Sequence, residues 1–251
     1  MKKTIWIDVG THFAQEHSSI FGSNYSFYSF IIRRFISGGI LKRGKFISFQ
    51  ELREIIYSRT RIRERSSEFF TVIIEANPKI ANKKKFYPNA DIFFNLALTD
   101  DNHSPVSIAK LYIGNGGELA EGNSLFLKEN NLKNDSHVAT FGVSASDFFS
   151  ELELYLEEQF GDYDVLLRLN CEGVEDDVIY STYNSFGSKL KLICGSLKDV
   201  EELKGLDASK KLDNFISDNG LLFVKFSSGI YSWPKAHASV LNLLEKKDER
   251  S

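Results

Sequence analysis

The stretch TIWIDV at residues 4–9, followed by Gly10, decides the fold class. It is a short, largely apolar run that ends at an acidic and a small residue, a pattern typical of strands in a parallel sheet. Further runs of this kind alternate with longer segments of helical spacing, and they cover residues 70–75, 92–98, 164–169, 190–194 and 221–226. This alternation predicts an α/β fold with a mostly parallel sheet and helices on both faces. A chain of 251 residues fits a single such domain over residues 1–251.

The first two runs are separated by about 60 residues, far more than a crossover helix needs. We interpret residues 20–68 as a basic, largely helical insertion after the first strand. Within it, residues 48–58 have helical spacing, with Ser48 as N-cap and Glu51 completing a capping box.

The net charge of −3 conceals a strong asymmetry along the chain. The segment from position 33 to position 65 contains ten basic and three acidic residues, so it carries a net charge of +7 and the remainder of the chain carries −10. Two interpretations stay open: a solvated helical face that pairs with the acidic body, or a lid that binds a phosphate-bearing or acidic acceptor through forked arginine contacts. Nucleic acid is not an expected partner, because the aromatic residues here fit a helix core. The basic residues are Arg33, Arg34, Lys42, Arg43, Lys45, Arg53, Arg59, Arg61, Arg63 and Arg65.

Composition and the short apolar runs suggest a cytoplasmic protein. Cys171 and Cys194 adjoin apolar residues in a chain too long to depend on disulfides, so both are expected to be reduced and buried. The first apolar run is too short for a signal peptide, and no stretch approaches the ~20 apolar residues of a membrane span. His103 and His137 lack partners at ligand spacing, so no metal site is expected.

Chemically active residues follow three of the apolar runs, where parallel strands would end. Ligands of open parallel sheets collect at the carboxyl ends of the strands, and Gly10 would let the backbone approach a cofactor closely. Glu75 could accept hydrogen bonds from both ribose hydroxyls of a nucleoside. Asn170 and Glu172 follow the fourth run, and Glu175 lies in the first turn of a helix, where a carboxylate favours the dipole. Each site also has a structural alternative: a tight turn, a solvated glutamate or a favourably charged helix start.

Together these motifs resemble those of the FkbM-type family of class I S-adenosylmethionine-dependent methyltransferases. The last of them looks like the family's K-I-D-x-E-G-x-E signature. The resemblance covers most of residues 4–195 apart from the insertion. Its motifs are IDVGTHFAQE (residues 7–16), VIIEANPK (72–79), NLALTDD (95–101), ATFGVSASDFF (139–149) and RLNCEGVEDDVI (168–179).

The resemblance implies a Rossmann-like class I methyltransferase fold that binds S-adenosyl-L-methionine. Asp8 and Gly10 would lie beside the methionine part of the cofactor, Glu75 would bind the ribose, and the segment around Ala97 would line the adenine. Glu172 and Glu175 match the two glutamates of the family signature. The full set assigned to the cofactor is Asp8, Gly10, Thr11, His12, Gln15, Glu75, Ala76, Ala97 and Asn170.

The implied reaction is O-methylation of a sugar or another small polar acceptor, which would make the protein an enzyme of carbohydrate modification. The rate would come mainly from alignment of the reacting atoms, with Glu172 and then His12 as candidate general bases. Three residues depart from the family pattern: Ala14 replaces a glycine, Asn170 an aspartate and Arg168 a lysine. Two alternatives therefore stay open. One is a non-catalytic protein that binds the cofactor or a nucleoside, and the other is a nicotinamide-dependent oxidoreductase, against which the missing glycines count.

Overall fold

The chain forms an α/β structure built on two sheets. The computed structural model describes residues 2–12, 15–34, 49–82, 90–100, 105–113, 124–126, 136–171, 173–225 and 233–248. The described strands are β1 (Lys3–Val9), β2 (Phe69–Ile74), β3 (Ile92–Phe94), β4 (Ala97–Thr99), β5 (Val106–Tyr112), β6 (His137–Ser144), β7 (Tyr163–Leu169), β8 (Leu190–Gly195) and β9 (Phe223–Lys225). The described helices are α1 (Gln15–Phe21), α2 (Asn24–Arg34), α3 (Phe49–Glu64), α4 (Pro78–Ala81), α5 (Ala145–Phe160), α6 (Glu175–Phe186), α7 (Lys198–Lys204), α8 (Leu206–Asp218) and α9 (Trp233–Asp248).

The larger sheet has six strands in the order β3-β2-β1-β7-β8-β9, and every pairing in it is parallel. From the centre of the sheet, β1, β2 and β3 follow one another to one side, and β7, β8 and β9 follow one another to the other side. This arrangement is consistent with a Rossmann-like fold and confirms the predicted parallel sheet flanked by helices. The order reverses between β1 and β7, which makes the carboxyl ends of these two strands the expected crevice for a ligand.

Side chains of β1 alternate between two cores, one on each face of the sheet. Ile5, Ile7 and Val9 lie in a core that includes residues of α5 and α6. Trp6 faces the opposite core, which α1, α2, α3 and α9 complete. Because both faces of the strand are covered, the sequence of β1 is almost continuously apolar.

The predicted third strand, residues 92–98, is wrong as a single element. β3 pairs with β2, but the chain then leaves the larger sheet, and Ala97–Thr99 pair with β6 in a second, three-stranded sheet of order β4-β6-β5. The side-chain amide of Asn95 donates to the carbonyl oxygen of Glu75 (2.7 Å), which ties the turn between the two strands to the end of β2. The antiparallel pair β5 and β6 was not predicted, because exposed and half-buried residues alternate along most of β5.

The described part of the inserted segment is helical, as predicted. α3 spans Phe49–Glu64, so it continues past the predicted end at position 58. Ile55 and Ile62 on its buried side pack in the core shared with α9, and this packing explains the longer helix. The predicted N-cap Ser48 lies outside the described residues.

The two cysteines differ in burial. Both are free thiols, as expected, but only Cys194 is buried. Cys171 is half-buried because it follows β7 in the loop before α6, so the expectation of burial was wrong for this residue. No helix in the described part of the chain is long and apolar enough to cross a membrane.

Candidate functional site

The ends of β1, β2 and β7 converge at Gly10. The N–H of Gly10 donates to the carbonyl oxygen of Ile74 (3.0 Å), and the N–H of Asn170 donates to that of Val9 (3.1 Å). Gly10 has φ +69°, and a Cβ built on it would lie 2.2 Å from the carbonyl oxygen of Asn170. A side chain at this position would collide with backbone, so the turn requires glycine whether or not a ligand approaches it.

Glu75 directly follows β2 and fixes the turn after β1. Its side chain is buried (residue exposure 6%), and Oε2 accepts a hydrogen bond from the N–H of His12 (2.7 Å). Oε1 accepts a hydrogen bond from the N–H of Asn77 (2.8 Å). Burial raises the pKa of Glu75 to about 7. The two N–H groups favour the charged carboxylate and lower the pKa, but their effect is smaller than that of burial. Glu75 therefore lies beside the turn that contains Gly10 and His12.

His12 adopts a backbone conformation that favours glycine. Its φ is +51°, in the left-handed region that few residues with side chains occupy. The hydrogen bond from its N–H to Glu75 accompanies this conformation. Non-glycine residues in such conformations cluster at functional sites, which makes the half-buried His12 a candidate for direct contact with a ligand.

A buried ion pair lies directly beneath this turn. Asp8 of β1 and Arg168 of β7 are paired in register, and Arg168 Nη1 lies 3.0 Å from Asp8 Oδ1. The same nitrogen donates to the carbonyl oxygen of Gly10 (2.9 Å). Asp8 has no exposed surface, so it supports the turn after β1 through Arg168 and does not itself line the edge of the sheet.

The loop after β7 is held by Glu175. Its Oε1 accepts a hydrogen bond from the N–H of Cys171 (3.1 Å), and its Oε2 accepts one from the N–H of Gly173 (2.8 Å). Glu175 is fully buried, and burial raises its pKa to about 7. This carboxylate shapes the loop on which Asn170 lies.

The second sheet contacts the segment that follows β2. The hydroxyl of Thr140 in β6 donates to the carbonyl oxygen of Ala76 (2.7 Å). Ala97 and Leu98 of β4 are buried in this sheet. The small sheet therefore lies beside the residues predicted to bind the ribose and adenine.

The predicted site residues fall into three groups. Those brought together at the carboxyl edge of the larger sheet are Gly10, His12, Glu75, Ala76 and Asn170. Those buried around it are Asp8, Thr11 and Ala97. Glu172 and the side chain of Gln15 lie outside the described residues, although Gln15 begins α1.

Sequence reasoning missed the contacts of Arg168 and Asn95. Both follow from strand pairing, which sequence alone does not give. One signal was available for Arg168, since a charged residue inside a strand buried on both faces requires a partner of opposite charge. Asp8 is the acidic residue at the equivalent place in the neighbouring strand.

The arginines at the end of α3 lie at the opposite, amino edge of the sheet. Arg65 follows α3 and pairs with Glu68 just before β2 (Nε to Oε1, 2.6 Å). Glu68 also meets Lys247, whose ammonium group donates to the backbone oxygen of Lys2 ahead of β1. The C-terminal end of α3 therefore lies at the amino edge of the sheet, opposite the edge that contains Gly10.

Arg59 is a structural residue. It is 5% exposed, and its guanidinium donates to the carbonyl oxygens of Ser19 (2.7 Å) and Gly22 (3.0 Å). Arg61 pairs with Glu64, and Arg63 donates to the side chain of Asn24. These three arginines of α3 therefore make contacts within the protein. Whether the insertion as a whole acts as a lid stays a prediction.

No protein-family model, no curated protein and no solved structure matches this chain. Within the described ranges, no group of three or more histidine, cysteine, aspartate or glutamate side chains could hold a metal ion.

The buried carboxyl groups should leave a signature in the pH dependence of stability. Burial raises the pKa of Glu75 and Glu175 from 4.5 to about 7, so the folded protein retains protons that the unfolded chain has released. Their contribution to stability is lost as the pH rises through this range. Burial lowers the pKa of His17 and His237 from 6.5 to about 4. These two histidines therefore make the stability rise with pH between about pH 4 and pH 6.5. The test must therefore compare variants with the wild type.

We expect the double variant Glu75→Gln/Glu175→Gln to lack the decrease in stability that the two glutamates cause as the pH rises. Between pH 5 and pH 8 its free energy of unfolding should rise relative to the wild type by roughly 2–3 kcal/mol for each glutamate. Urea unfolding at several pH values measures this difference. Parallel stability curves for the two proteins would contradict the assignment of raised pKa values to these two groups.

Proposed function

We propose that this protein is a class I, Rossmann-like methyltransferase that uses S-adenosylmethionine and methylates an oxygen of a sugar or another small polar acceptor. The observation that carries the proposal is the buried carboxylate of Glu75, held at the end of β2 against the glycine turn after β1. An acidic residue at this place binds the ribose in nucleoside-cofactor folds. The reaction and the acceptor class rest on the motif resemblance.

The hydrogen-bonding capacity of Glu75 fits a ribose. Each carboxylate oxygen has two lone pairs, and each accepts one backbone N–H, from His12 or from Asn77. One acceptor position on each oxygen remains for the two ribose hydroxyls. The N–H bonds also hold the carboxylate in place before a ligand arrives, which lowers the entropic cost of binding.

The charge of this edge favours a cationic cofactor over a pyrophosphate. Glu75 forms no ion pair with any other described residue, whereas the neighbouring Asp8 is neutralised by Arg168. The N–H of His12 could donate to a phosphate, but it already donates to the carboxylate of Glu75. A pyrophosphate would meet a carboxylate here, while a sulfonium or ammonium group would be attracted to it.

S-adenosylmethionine supplies a reactive methyl group on a positively charged sulfur. The protein then has to align the acceptor oxygen with this methyl group and accept the proton of the hydroxyl. His12 lies at the edge, with its backbone fixed by Glu75, and is a candidate for that proton acceptor. Glu172, the other candidate from the sequence, lies outside the described residues.

Two other functions fit parts of the structure. The parallel order of the six strands is also that of dinucleotide-binding folds, which favours a nicotinamide-dependent oxidoreductase. The acidic edge and the single glycine of the first turn weigh against it. A protein that binds the cofactor without catalysis is the second alternative, motivated by Asn170 in place of an aspartate.

Calorimetric titrations with S-adenosylmethionine, its demethylated product S-adenosylhomocysteine and NAD separate these functions. We expect both S-adenosyl compounds to bind and NAD not to bind. Binding of NAD alone, or no binding of either S-adenosyl compound at about 1 mM, would overturn the proposal. Transfer of an isotope-labelled methyl group to a panel of sugars and nucleotide sugars then distinguishes an enzyme from a binding protein.

A further inference from the structure

The second sheet ends at β5, and half of the main-chain groups of this strand point away from the sheet. In the order β4-β6-β5 it is an edge strand. Its odd-numbered residues bond to β6: the N–H of Ser144 donates to the carbonyl oxygen of Pro105 (3.2 Å), and the N–H of Ile113 donates to that of Ser136 (3.0 Å). Because bonded and non-bonded pairs alternate along an antiparallel ladder, the even-numbered residues of β5 direct their N–H and C=O groups outward.

The end of this outer edge is already used for strand pairing. Tyr112 exchanges two main-chain hydrogen bonds with Ser124 (2.8 and 3.2 Å). Two residues later, Phe126 packs against the core that includes α6, so the chain leaves the edge at that point. Within the described ranges, the outward positions before Tyr112 have no main-chain partner on this side. These positions are Val106, Ile108 and Lys110.

The same part of β5 carries exposed apolar side chains. Val106 and Ile108 are 63% and 69% exposed. Ile108 lies directly opposite Phe141 of β6, which is 61% exposed, and in such a non-bonded pair the two side chains lie close together. An apolar edge strand with free donors and acceptors is a template for pairing with another strand.

We propose that β5 pairs antiparallel with β5 of a second copy of this chain, with Ile108 opposite Ile108 of the partner subunit. The two three-stranded sheets then form one continuous six-stranded sheet across a two-fold axis. Val106 lies opposite Lys110 of the partner subunit, and each of the three residue pairs exchanges two main-chain hydrogen bonds. The dimer does not depend on the proposed methyltransferase reaction.

The side chains of this register support one another. Phe141, Ile108 and their two counterparts in the partner subunit form an apolar row across the four central strands, in which each side chain covers part of the next. The aliphatic stem of Lys110 can lie along Val106 of the partner subunit while its ammonium group stays in water.

Symmetry and charge favour a second copy over a segment of another protein. A copy of β5 brings outward donors and acceptors at the same spacing, so each group at the three positions meets its complement. Lys110 is the one charged residue of the strand sequence VSIAKLY, and in this register it faces the uncharged Val106, so no like charges meet. A charged peptide from another protein would find little on this strand to pair with.

Analytical ultracentrifugation of the full chain tests the proposal. A strand-edge contact is small among stable interfaces, so we expect a reversible dimer with a Kd of about 10 µM. Ile108→Glu and Ile108→Lys each place two like charges opposite each other, and each variant should stay monomeric up to about 500 µM. An equimolar mixture of the two should dimerise again, since glutamate then lies opposite lysine.

Two controls make the result specific. Leu154→Glu adds a charge at an exposed residue of α5 (59% exposed) and should dimerise as the wild type does. Amide hydrogen exchange of the wild type at about 1 µM and about 500 µM reports on the main chain alone. The N–H groups of Val106, Ile108 and Lys110 should become protected at the higher concentration.

Circular dichroism and thermal unfolding establish that each variant is folded. The proposal is overturned if the wild type is monomeric at about 500 µM, or if either charged variant of Ile108 dimerises by itself. A mixture of the two variants that stays monomeric would contradict the register centred on Ile108. A dimer without added protection of β5 would place the interface elsewhere and would equally contradict the proposal.

Discussion

Replacing Arg168 by methionine should lower the free energy of unfolding by about 3–5 kcal/mol. Arg168 is 4% exposed and Asp8 has no exposed surface, so the variant would leave the Asp8 carboxylate buried without its guanidinium. The carbonyl oxygen of Gly10 would lose a donor as well. Urea unfolding at neutral pH, followed by circular dichroism, measures the loss.

Two further variants make this result specific. Arg61→Met removes an ion pair with Glu64 in which both side chains are about half exposed, and it should cost at most about 1 kcal/mol. Asp8→Asn combined with Arg168→Met removes both charges and should recover part of the stability that Arg168→Met loses. A loss for Arg168→Met as small as that for Arg61→Met would contradict the buried ion pair.

Replacing Glu75 by alanine should weaken the binding of S-adenosylhomocysteine about 100-fold. The variant removes the group proposed to accept hydrogen bonds from both ribose hydroxyls, and it releases the N–H of His12. Calorimetry at about pH 8 is the suitable measurement, since the raised pKa of about 7 leaves the wild-type carboxyl ionised there. Glu75→Gln retains one acceptor oxygen and should give an intermediate affinity.

Glu68→Gln provides the matched control for this experiment. Glu68 is a buried glutamate (8% exposed) that forms an ion pair with Arg65, but it lies at the amino edge of the sheet. Its loss should reduce stability without changing the affinity for S-adenosylhomocysteine. An affinity of Glu75→Ala close to that of the wild type would remove Glu75 from the proposed ribose site.

The central strands were predictable because their burial on both faces leaves a continuous apolar pattern. β1, β2 and β7 have this pattern, and the structure places them side by side. β5 and β6 were missed because alternating exposure makes their sequences resemble polar connecting segments. The division of residues 92–98 between two sheets depends on tertiary pairing with β2 and β6, which local sequence does not encode.

The candidate site was predictable as far as strand direction determines it. Parallel strands end at one edge, so the proximity of Glu75 to Gly10 followed from the order of the motifs. The pairing of Asp8 with Arg168 depends on the register between β1 and β7, and the location of Arg59 and Arg65 depends on the direction of α3. Composition alone could not tell a basic lid from arginines used in contacts within the protein.

A crystal structure with S-adenosylhomocysteine bound tests the proposed cofactor site most directly. We expect both ribose hydroxyls to lie within hydrogen-bond distance of the Glu75 carboxylate, and the sulfur to lie beside the Gly10 turn. The sulfur position would then mark where the acceptor oxygen has to approach. A ligand bound elsewhere, or a ribose that does not contact Glu75, would contradict the proposed site.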